Sequence, residues 1–271
     1  MAHPAVVELF GRPRALIGMI HAGALPGTAH ARDPLEAIVS RAVDEARLYR
    51  DAGFTALLLE NMHDRPYLAG SVGPEIVAAM TAIAREVRRE VRLPLGVQVL
   101  AAANREALAV ALASGASFVR VEGFAFAHVA DEGLIEACAG PLLRYRRAVG
   151  AEHLRVFADI KKKHSSHSIT ADVSLLETAH AAEFFSADGV IVTGTATGAP
   201  ALPSDVDAVA GGCPLPVLVG SGITPENLRL YASAHGFIVG SSVKRGGRWQ
   251  NDVDPAACAA LARAFEALPP G

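Results

Sequence analysis

The sequence lacks paired cysteines and long apolar runs. Its three cysteines, Cys138, Cys213 and Cys258, are far apart and form no Cys-x-x-Cys pair, which argues against a zinc ribbon or a disulfide framework. Residues 1–10 contain no basic segment followed by an apolar one, and no run approaches the ~20 apolar residues that span a bilayer. We therefore expect a cytoplasmic protein without a transmembrane segment, while peripheral association with a membrane stays open.

A strong excess of charge is also missing, because the net charge is −3. The local cationic cluster at 161–163 has no interleaved aromatic residues, so no nucleic-acid partner is expected. Hydrophobic residues make up 51% of the chain and charged residues 20%, a balance that allows a large core. No proline-rich or serine-rich linker interrupts the pattern, which predicts one domain over residues 1–271. Association of like chains through outer helices stays open.

Short apolar runs alternate with helical patterns along the whole chain, which is typical of repeated βα units on a parallel sheet. Eight strands are predicted, at 15–20, 55–60, 95–99, 117–121, 154–160, 189–193, 216–219 and 236–239. Helices are predicted at 35–49, 75–91, 105–113, 142–149, 172–185, 225–234 and 255–267, with a weaker one at 204–210. This order favours the α/β class and a single (β/α)8 TIM barrel, whose chemistry lies at the carboxyl ends of the strands.

Glycine and serine follow the last two predicted strands, at 220–222 and 240–242. Neither residue type shields the backbone, so successive N–H groups there could converge on one phosphate. Thr224, Pro225 and Glu226 are typical of a helix start, and the loop at 193–198 could add donors. The alternative is that these are only tight turns. The phosphate-binding candidates are Gly194, Gly220, Ser221, Gly222, Gly240 and Ser241.

Polar residues also follow the earlier strands. His21 either holds its loop or acts in catalysis. Asn61 and Asp64 follow the second strand, and we interpret them as substrate-binding rather than as a structural network. Lys244 either neutralises a charged substrate or is an exposed loop charge.

The third and fourth strands add Gln98, Arg120 and Glu122. Arg120 and Glu122 share a face and form either a core ion pair or contacts with a ligand.

The fifth strand is the richest in reactive groups. Asp159 and Lys161 should share one face, where a carboxylate and an ammonium can serve acid–base chemistry, or Lys161 can form a Schiff base. Lys162 fits an exposed position. His164 and His167, with nearby carboxylates, could bind a divalent metal such as Mg²⁺ or Zn²⁺. The catalytic candidates are Asp159, Lys161, His164, His21 and Glu122, and the substrate-binding candidates are Asn61, Asp64, Gln98, Arg120 and Lys244.

Motifs at nearly every strand end resemble the BtpA/SgcQ family. They lie at 17–28, 60–67, 118–123, 158–164, 192–194 and 218–222. The resemblance implies a (β/α)8 barrel of the phosphate-binding type. The family is named for a cyanobacterial factor needed to accumulate photosystem I, and SgcQ-like members look like companions of sugar-phosphate metabolism. The chain has three lysines at 161–163 where other members often have a Val-Lys pair, which leaves open which lysine is equivalent.

We therefore expect an enzyme that acts on a small phosphorylated compound, a sugar phosphate or a nucleotide-derived pentose phosphate. Its chemistry would be isomerisation, carbon–carbon cleavage or glycosidic cleavage. The alternative is a non-catalytic assembly factor for a membrane complex, as in photosystem I biogenesis, since a fold does not imply an activity.

Overall fold

The structure is a computed structural model that describes residues 2–194 and 196–269. The strands are β1 Ala15–His21, β2 Ala56–Glu60, β3 Leu95–Gln98, β4 Phe118–Val121, β5 His128–Ala130, β6 Gly133–Ile135, β7 Arg155–Ile160, β8 Ser165–Ser166, β9 Gly189–Val192, β10 Val217–Val219 and β11 Gly236–Val239. The α-helices are α1 Pro4–Phe10, α2 Leu35–Ala52, α3 Pro74–Glu90, α4 Asn104–Ser114, α5 Ala139–Ala148, α6 Leu175–Phe184, α7 Pro203–Gly212 and α8 Pro255–Glu266.

Eight parallel strands close into a barrel in the order β1-β11-β10-β9-β7-β4-β3-β2, which confirms the predicted fold class. Each α-helix after α1 follows a barrel strand and packs outside it. No helix among the described residues is long and apolar enough to cross a membrane.

The helix predicted at 225–234 is wrong. Only a 3-10 segment, Leu228–Tyr231, lies between β10 and β11. The Asn227 side chain accepts a hydrogen bond from Thr224 N–H and donates one to the carbonyl of Gly222, both bonds spanning a few residues. These bonds hold the segment as a compact turn.

Strand alternation separates an inner from an outer apolar layer. Ile17, Leu58 and Phe157 belong to the inner cluster, whereas Leu16 and Leu57 pack against the helices. The helix α1, which was not predicted, buries Val6 and Phe10 in the inner cluster. The Phe10 ring lies 5.7 Å from the Phe118 ring at an edge-on angle. A plug of this kind closes the barrel end opposite the strand carboxyl ends.

A second, three-stranded antiparallel sheet has the order β6-β5-β8. It is built from the segment after β4 and the segment after β7, with Val129 opposite Ser166. The sheet brings His128 within 5.5 Å of His167, measured between ring centroids. It therefore ties together the two loops that carry most of the charged residues at the barrel mouth.

Candidate functional site

The carboxyl ends of the barrel strands present a ring with two unlike halves. Each residue of this ring lies two positions after a strand residue that faces the barrel axis, so the ring residue faces the axis as well. β1, β2, β3, β4 and β7 contribute His21, Glu60, Gln98, Arg120 and Asp159, and β10 and β11 contribute Gly220 and Gly240. The glycine half leaves open space beside the polar half.

That space is a cavity of about 260 Å³. The loops after β10 and β11 both line it, with Gly220, Ser221 and Gly222 on one side and Gly240, Ser241 and Ser242 on the other. The backbone N–H groups of Gly222, Ile223, Ser241 and Ser242 donate to no described residue. Two loops thus present unused donors to one cavity, the arrangement that anions occupy at such loops.

Two of the six predicted phosphate ligands have their N–H groups engaged within the fold. Gly220 N–H donates to the Val192 carbonyl at 2.8 Å, and Gly194 N–H donates to Ser221 Oγ at 2.7 Å. These glycines shape the loops and do not supply N–H donors. Thr195, in the loop expected to add donors, lies outside the described residues.

Gly222 has a structural requirement of its own. Its φ is +65°, and a Cβ there would lie 2.3 Å from the backbone nitrogen of Pro200. Both the left-handed conformation and the close approach of the next loop demand glycine. Substitution of Gly222 would therefore distort the loop, and a test of anion binding needs another position.

Opposite the glycine loops, the cavity is lined by two cations, Arg120 and Lys163, and by the acid–base pair His21 and Glu60. His21 Nε2 lies 3.7 Å from Glu60 Oε2, too far for a hydrogen bond. His21 Nδ1 lies 3.3 Å from the Trp249 carbonyl, an acceptor, so Nδ1 carries the proton and Nε2 faces the cavity with its lone pair.

The two groups of this pair have opposite pKa shifts. Burial, followed by the charge of Lys244, lowers the pKa of His21 well below its usual range. Burial raises the pKa of Glu60. Glu60 therefore holds a proton more readily than an exposed carboxyl, and His21 is more readily neutral than an exposed imidazole, so the cavity contains two groups suited to proton transfer.

Arg120 and Asp159 form a buried bidentate pair. Arg120 Nε donates to Asp159 Oδ2 at 3.0 Å, and Nη2 donates to Oδ1 at 3.1 Å. Asp159 lines neither this cavity nor the adjoining one and instead holds the Arg120 guanidinium, so its direct role in catalysis stays a prediction. Arg120 reaches the cavity as predicted, but its ion-pair partner is Asp159 and not Glu122.

The assignment of Lys161 to the cavity is wrong. β7 ends at Ile160, and Lys161 has φ +47°, which breaks the alternation of side chains. Lys161 Nζ instead donates to the Thr170 carbonyl at 3.4 Å. Lys162, expected on the surface, is 7% exposed and donates to Glu122 Oε1 at 3.2 Å. Lys163 is the lysine of this run that lines the cavity.

A second cavity of about 230 Å³ adjoins the first and shares Glu60, Arg120 and Lys163 with it. Gln98 and Glu122 line it, and the role of Gln98 as a substrate contact stays a prediction. Gln98 is 2% exposed, and its Oε1 has no hydrogen-bond partner among the described residues. Glu122 is held by Lys162 and by Ala102 N–H, the latter at 2.9 Å. The second cavity therefore offers hydrogen-bonding groups to the part of a ligand that extends into it from the first cavity.

Asn61 and Asp64 line neither cavity, and their role as substrate contacts stays a prediction. Asn61 Nδ2 donates to Asp64 Oδ2 at 2.8 Å, and Asn61 Oδ1 accepts from Leu100 N–H at 2.7 Å. Asp64 Oδ1 accepts from Leu25 N–H at 2.8 Å. This network ties the loop after β2 to the loops after β1 and β3, because buried backbone donors need partners.

Lys244 also differs from its prediction. Its side chain is 1% exposed, and Nζ donates to Glu45 Oε1 on α2 at 2.6 Å. It lines a third cavity of about 270 Å³, with Arg32 and Arg41 among the neighbouring residues. Lys244 is neither an exposed loop charge nor a group on the wall of the first cavity.

The two histidines of the proposed metal site have separate partners. His164 Nε2 contacts Thr197 Oγ1 at 2.9 Å, and His167 Nε2 contacts the Lys162 carbonyl at 2.9 Å. Within residues 2–194 and 196–269, no group of three or more His, Cys, Asp or Glu side chains could hold a metal ion. His164 lines the second cavity, where its bond to Thr197 joins two mouth loops.

Sequence reasoning missed Glu60 and Lys163 as cavity residues. The signal for Glu60 was available, since Leu58 and Glu60 are two apart and share a face. The signal for Lys163 was not available, because the change of direction at Lys161 depends on a backbone angle. The other predicted residues of the first cavity remain predictions as to role.

The closed barrel, with its glycine loops after the last two strands, defines a TIM-barrel protein. The BtpA family model matches residues 12–267, and the chain belongs to this family. It is 49% identical over 255 residues to the Caenorhabditis elegans protein F13E9.13, described as mitochondrial, with 92% of each chain covered. It is 34% identical over 260 residues to the photosystem I biogenesis protein BtpA of Synechocystis, covering 95% of this chain and 90% of that protein.

Among solved structures, the chain is similar to (S)-3-O-geranylgeranylglyceryl phosphate synthase of Thermoplasma acidophilum, determined with its substrate sn-glycerol-1-phosphate. The TM-score is 0.62 at 14% identity, with 97% of this chain and 98% of that chain covered. At this identity the likeness shows the shared fold.

Proposed function

We propose that this chain is an enzyme that acts on a small phosphorylated metabolite. The observation that carries the proposal is the first cavity, where unused N–H groups of two glycine loops face Arg120, Lys163 and the pair His21 and Glu60. A scaffold has no use for an acid, a base and two cations around one buried space, because each costs free energy to desolvate without a ligand.

The substrate's phosphate would bind at the glycine loops, and its remaining part would extend into the second cavity. The unpartnered amide of Gln98 suits a hydroxyl group there, since a hydroxyl both donates and accepts. This supports a sugar phosphate or a nucleotide-derived pentose phosphate. Glu60 as acid and His21 as base suit isomerisation, carbon–carbon cleavage or glycosidic cleavage. We retain the cytoplasm as the proposed location for this chain, although the Caenorhabditis elegans relative is described as mitochondrial.

The test is thermal unfolding with inorganic phosphate, sugar phosphates, nucleoside monophosphates and their unphosphorylated counterparts. A ligand that binds the folded state at 100 times its Kd stabilises it by about 2.7 kcal/mol. Ser241 lines the cavity and its side chain makes no hydrogen bond to a described residue, so it can be substituted without disturbing the loop. Ser241→Asp should abolish stabilisation by phosphorylated compounds, and Ser241→Asn, of the same size without the charge, should retain it. Equal stabilisation of both variants, or none of the wild type, would reject the phosphate site.

A second candidate function is a non-catalytic assembly factor for a membrane complex, and the Synechocystis relative is named a photosystem I biogenesis protein. One surface feature favours it: Phe184 and Phe185, at the end of α6, are 81% and 46% exposed. If that role holds, substituting both by serine should abolish capture of a stoichiometric membrane complex, and Ser241→Asp should leave it intact. The reverse pattern would favour the enzyme.

A further inference from the structure

Lys163 is a lysine shared by the walls of two cavities at the barrel mouth. It lines both the first and the second cavity, yet its amine makes no hydrogen bond or ion pair with a described residue. Its neighbours in sequence are both engaged, Lys161 with the Thr170 carbonyl and Lys162 with Glu122. The amine of Lys163 is therefore free to contact a molecule that occupies the cavities.

The chain uses lysine sparingly, since only four of its 25 lysine and arginine residues are lysines. Two of the four, Lys162 and Lys244, are buried in ion pairs with glutamates. Arginine supplies the surface cations and also the cavity cation Arg120. A guanidinium stays protonated and does not act as a nucleophile, whereas an amine can lose its proton. A lysine beside Arg120 thus adds chemistry that a second arginine would not.

The surroundings of Lys163 make its ammonium group lose a proton more readily than that of an exposed lysine. Burial, followed by the charge of Arg120, lowers the pKa of Lys163, against the opposite influence of Glu60, Asp159 and Glu122. Desolvation beside another cation is a recognised way to activate a lysine as a nucleophile. This agrees with the position of the side chain at the junction of the two cavities.

We propose that Lys163 is a catalytic residue that forms an imine with a phosphorylated aldehyde or ketone whose phosphate occupies the glycine loops. The inference rests on the proposed function, because the phosphate is what holds the carbonyl at the amine. The lone pair of the neutral amine forms a bond to the carbonyl carbon, the carbonyl π electrons move to oxygen, and one proton passes from nitrogen to that oxygen. The nitrogen lone pair then forms the C=N bond as the C–O bond breaks, and the leaving hydroxide takes the second proton from nitrogen and departs as water. Addition of water to the C=N bond reverses the step. Glu60 and His21, on the wall of the same cavity, are the groups that move these protons.

Reductive trapping tests the proposal. The protein is incubated with glycolaldehyde phosphate or dihydroxyacetone phosphate and borohydride, and its peptides are analysed by mass spectrometry. Besides the amino terminus, only the four lysines can react. We expect one adduct, on Lys163. Glycerol phosphate, which has no carbonyl, should give none, and unphosphorylated glycolaldehyde should label Lys163 at least about tenfold more slowly, as expected when binding orients the reacting groups.

Two variants separate this proposal from the proposed function. Lys163→Arg keeps the positive charge and should retain stabilisation by glycerol phosphate while losing the adduct. Lys161→Met, at the neighbouring lysine outside the cavity, should retain both, and circular dichroism checks that each variant folds. If phosphorylated carbonyl compounds stabilise the wild type but the adduct is absent, or lies on Lys161, Lys162, Lys244 or the amino terminus, the imine is wrong and the phosphate site stands. If no phosphorylated compound stabilises the wild type, both are wrong.

Discussion

Arg120 on β4 donates two hydrogen bonds to the carboxylate of Asp159 on β7, at 3.0 and 3.1 Å, and the two side chains are 5% and 1% exposed. The pair joins neighbouring strands of the barrel. Asp159 lies away from the cavity and Arg120 reaches it, so the carboxylate fixes the direction in which the guanidinium faces a ligand.

Breaking this pair should destabilise the fold. Asp159→Asn leaves the buried Arg120 cation without its counter-charge, and we expect unfolding in urea to require about 3–5 kcal/mol less free energy. The double variant Arg120→Met with Asp159→Leu should recover most of that loss, because it removes both buried charges. A loss of under about 1 kcal/mol for Asp159→Asn would show that water hydrogen-bonds to Arg120 in place of the carboxylate and that the pair contributes little to the free energy of unfolding.

Gln98→Met should separate stability from binding. The buried Oε1 of Gln98 has no partner among the described residues, so replacing the amide by an apolar side chain of similar size should leave the free energy of unfolding equal or raise it by about 1 kcal/mol. Stabilisation by a phosphorylated ligand that fills the second cavity should fall, whereas stabilisation by inorganic phosphate should not. Equal loss for both ligands in calorimetric titration would contradict the division into two cavities.

Asn61→Ala should lower the stability of the fold and leave ligand binding unchanged, which is the opposite of the result expected for Gln98→Met. It removes the acceptor of Leu100 N–H and the donor to Asp64, and buried groups left without partners cost about 1–3 kcal/mol each. We expect lower stability in denaturant and a ligand Kd within about twofold of wild type for the folded protein, since Asn61 lines neither cavity. Unchanged stability with tenfold weaker binding would restore Asn61 as a substrate contact.

Acid should destabilise the protein through buried histidines. Burial lowers the pKa of His63 and of His128 from 6.5 to about 4. The unfolded chain therefore binds more protons than the folded one between about pH 6.5 and 4, and stability falls as the pH drops through that window. The loss should be on the order of 1 kcal/mol per histidine at pH 5, allowing for partial solvent screening.

Denaturation of His128→Gln across this range measures the effect. The variant should show a shallower loss of stability with falling pH than the wild type, because one of the histidines with a lowered pKa no longer titrates. His153, an exposed histidine two residues before β7, provides the control, and His153→Gln should follow the wild type. An unchanged slope in His128→Gln would contradict the assigned shift.

Much of the fold could be predicted from the sequence, because barrel strands are continuous apolar runs and the phase of each run sets which residues face inward. Leu58 faces inward two residues before Glu60, and Phe118 faces inward two residues before Arg120, so the apolar residue of each pair predicts the direction of the polar one. The prediction of a helix at 225–234 was wrong because the Asn227 side chain closes a local turn, and helix propensity does not reveal such side-chain hydrogen bonds. The plug α1 went unpredicted even though Pro4 and Gly11 bracket it with start and stop signals.

The site was predicted less completely, for a physical reason. In β7, the alternation of side chains held up to the last residue, Ile160, and failed one residue later, where the chain turns. Lys161 adopts a left-handed conformation, so Lys163 replaced it in the cavity. Asn61 and Asp64 have the polar character of ligand contacts but satisfy backbone groups of neighbouring loops, and sequence alone cannot distinguish these two uses of a buried polar side chain.

The central claim is that a phosphate group binds at the glycine loops. A crystal structure of the protein with glycerol phosphate tests it most directly. We predict the phosphate oxygens at about 2.7–3.2 Å from the N–H groups of Gly222, Ile223, Ser241 and Ser242, with the glycerol directed toward Lys163. A phosphate bound instead in the third cavity, beside Arg32 and Arg41, would contradict the account.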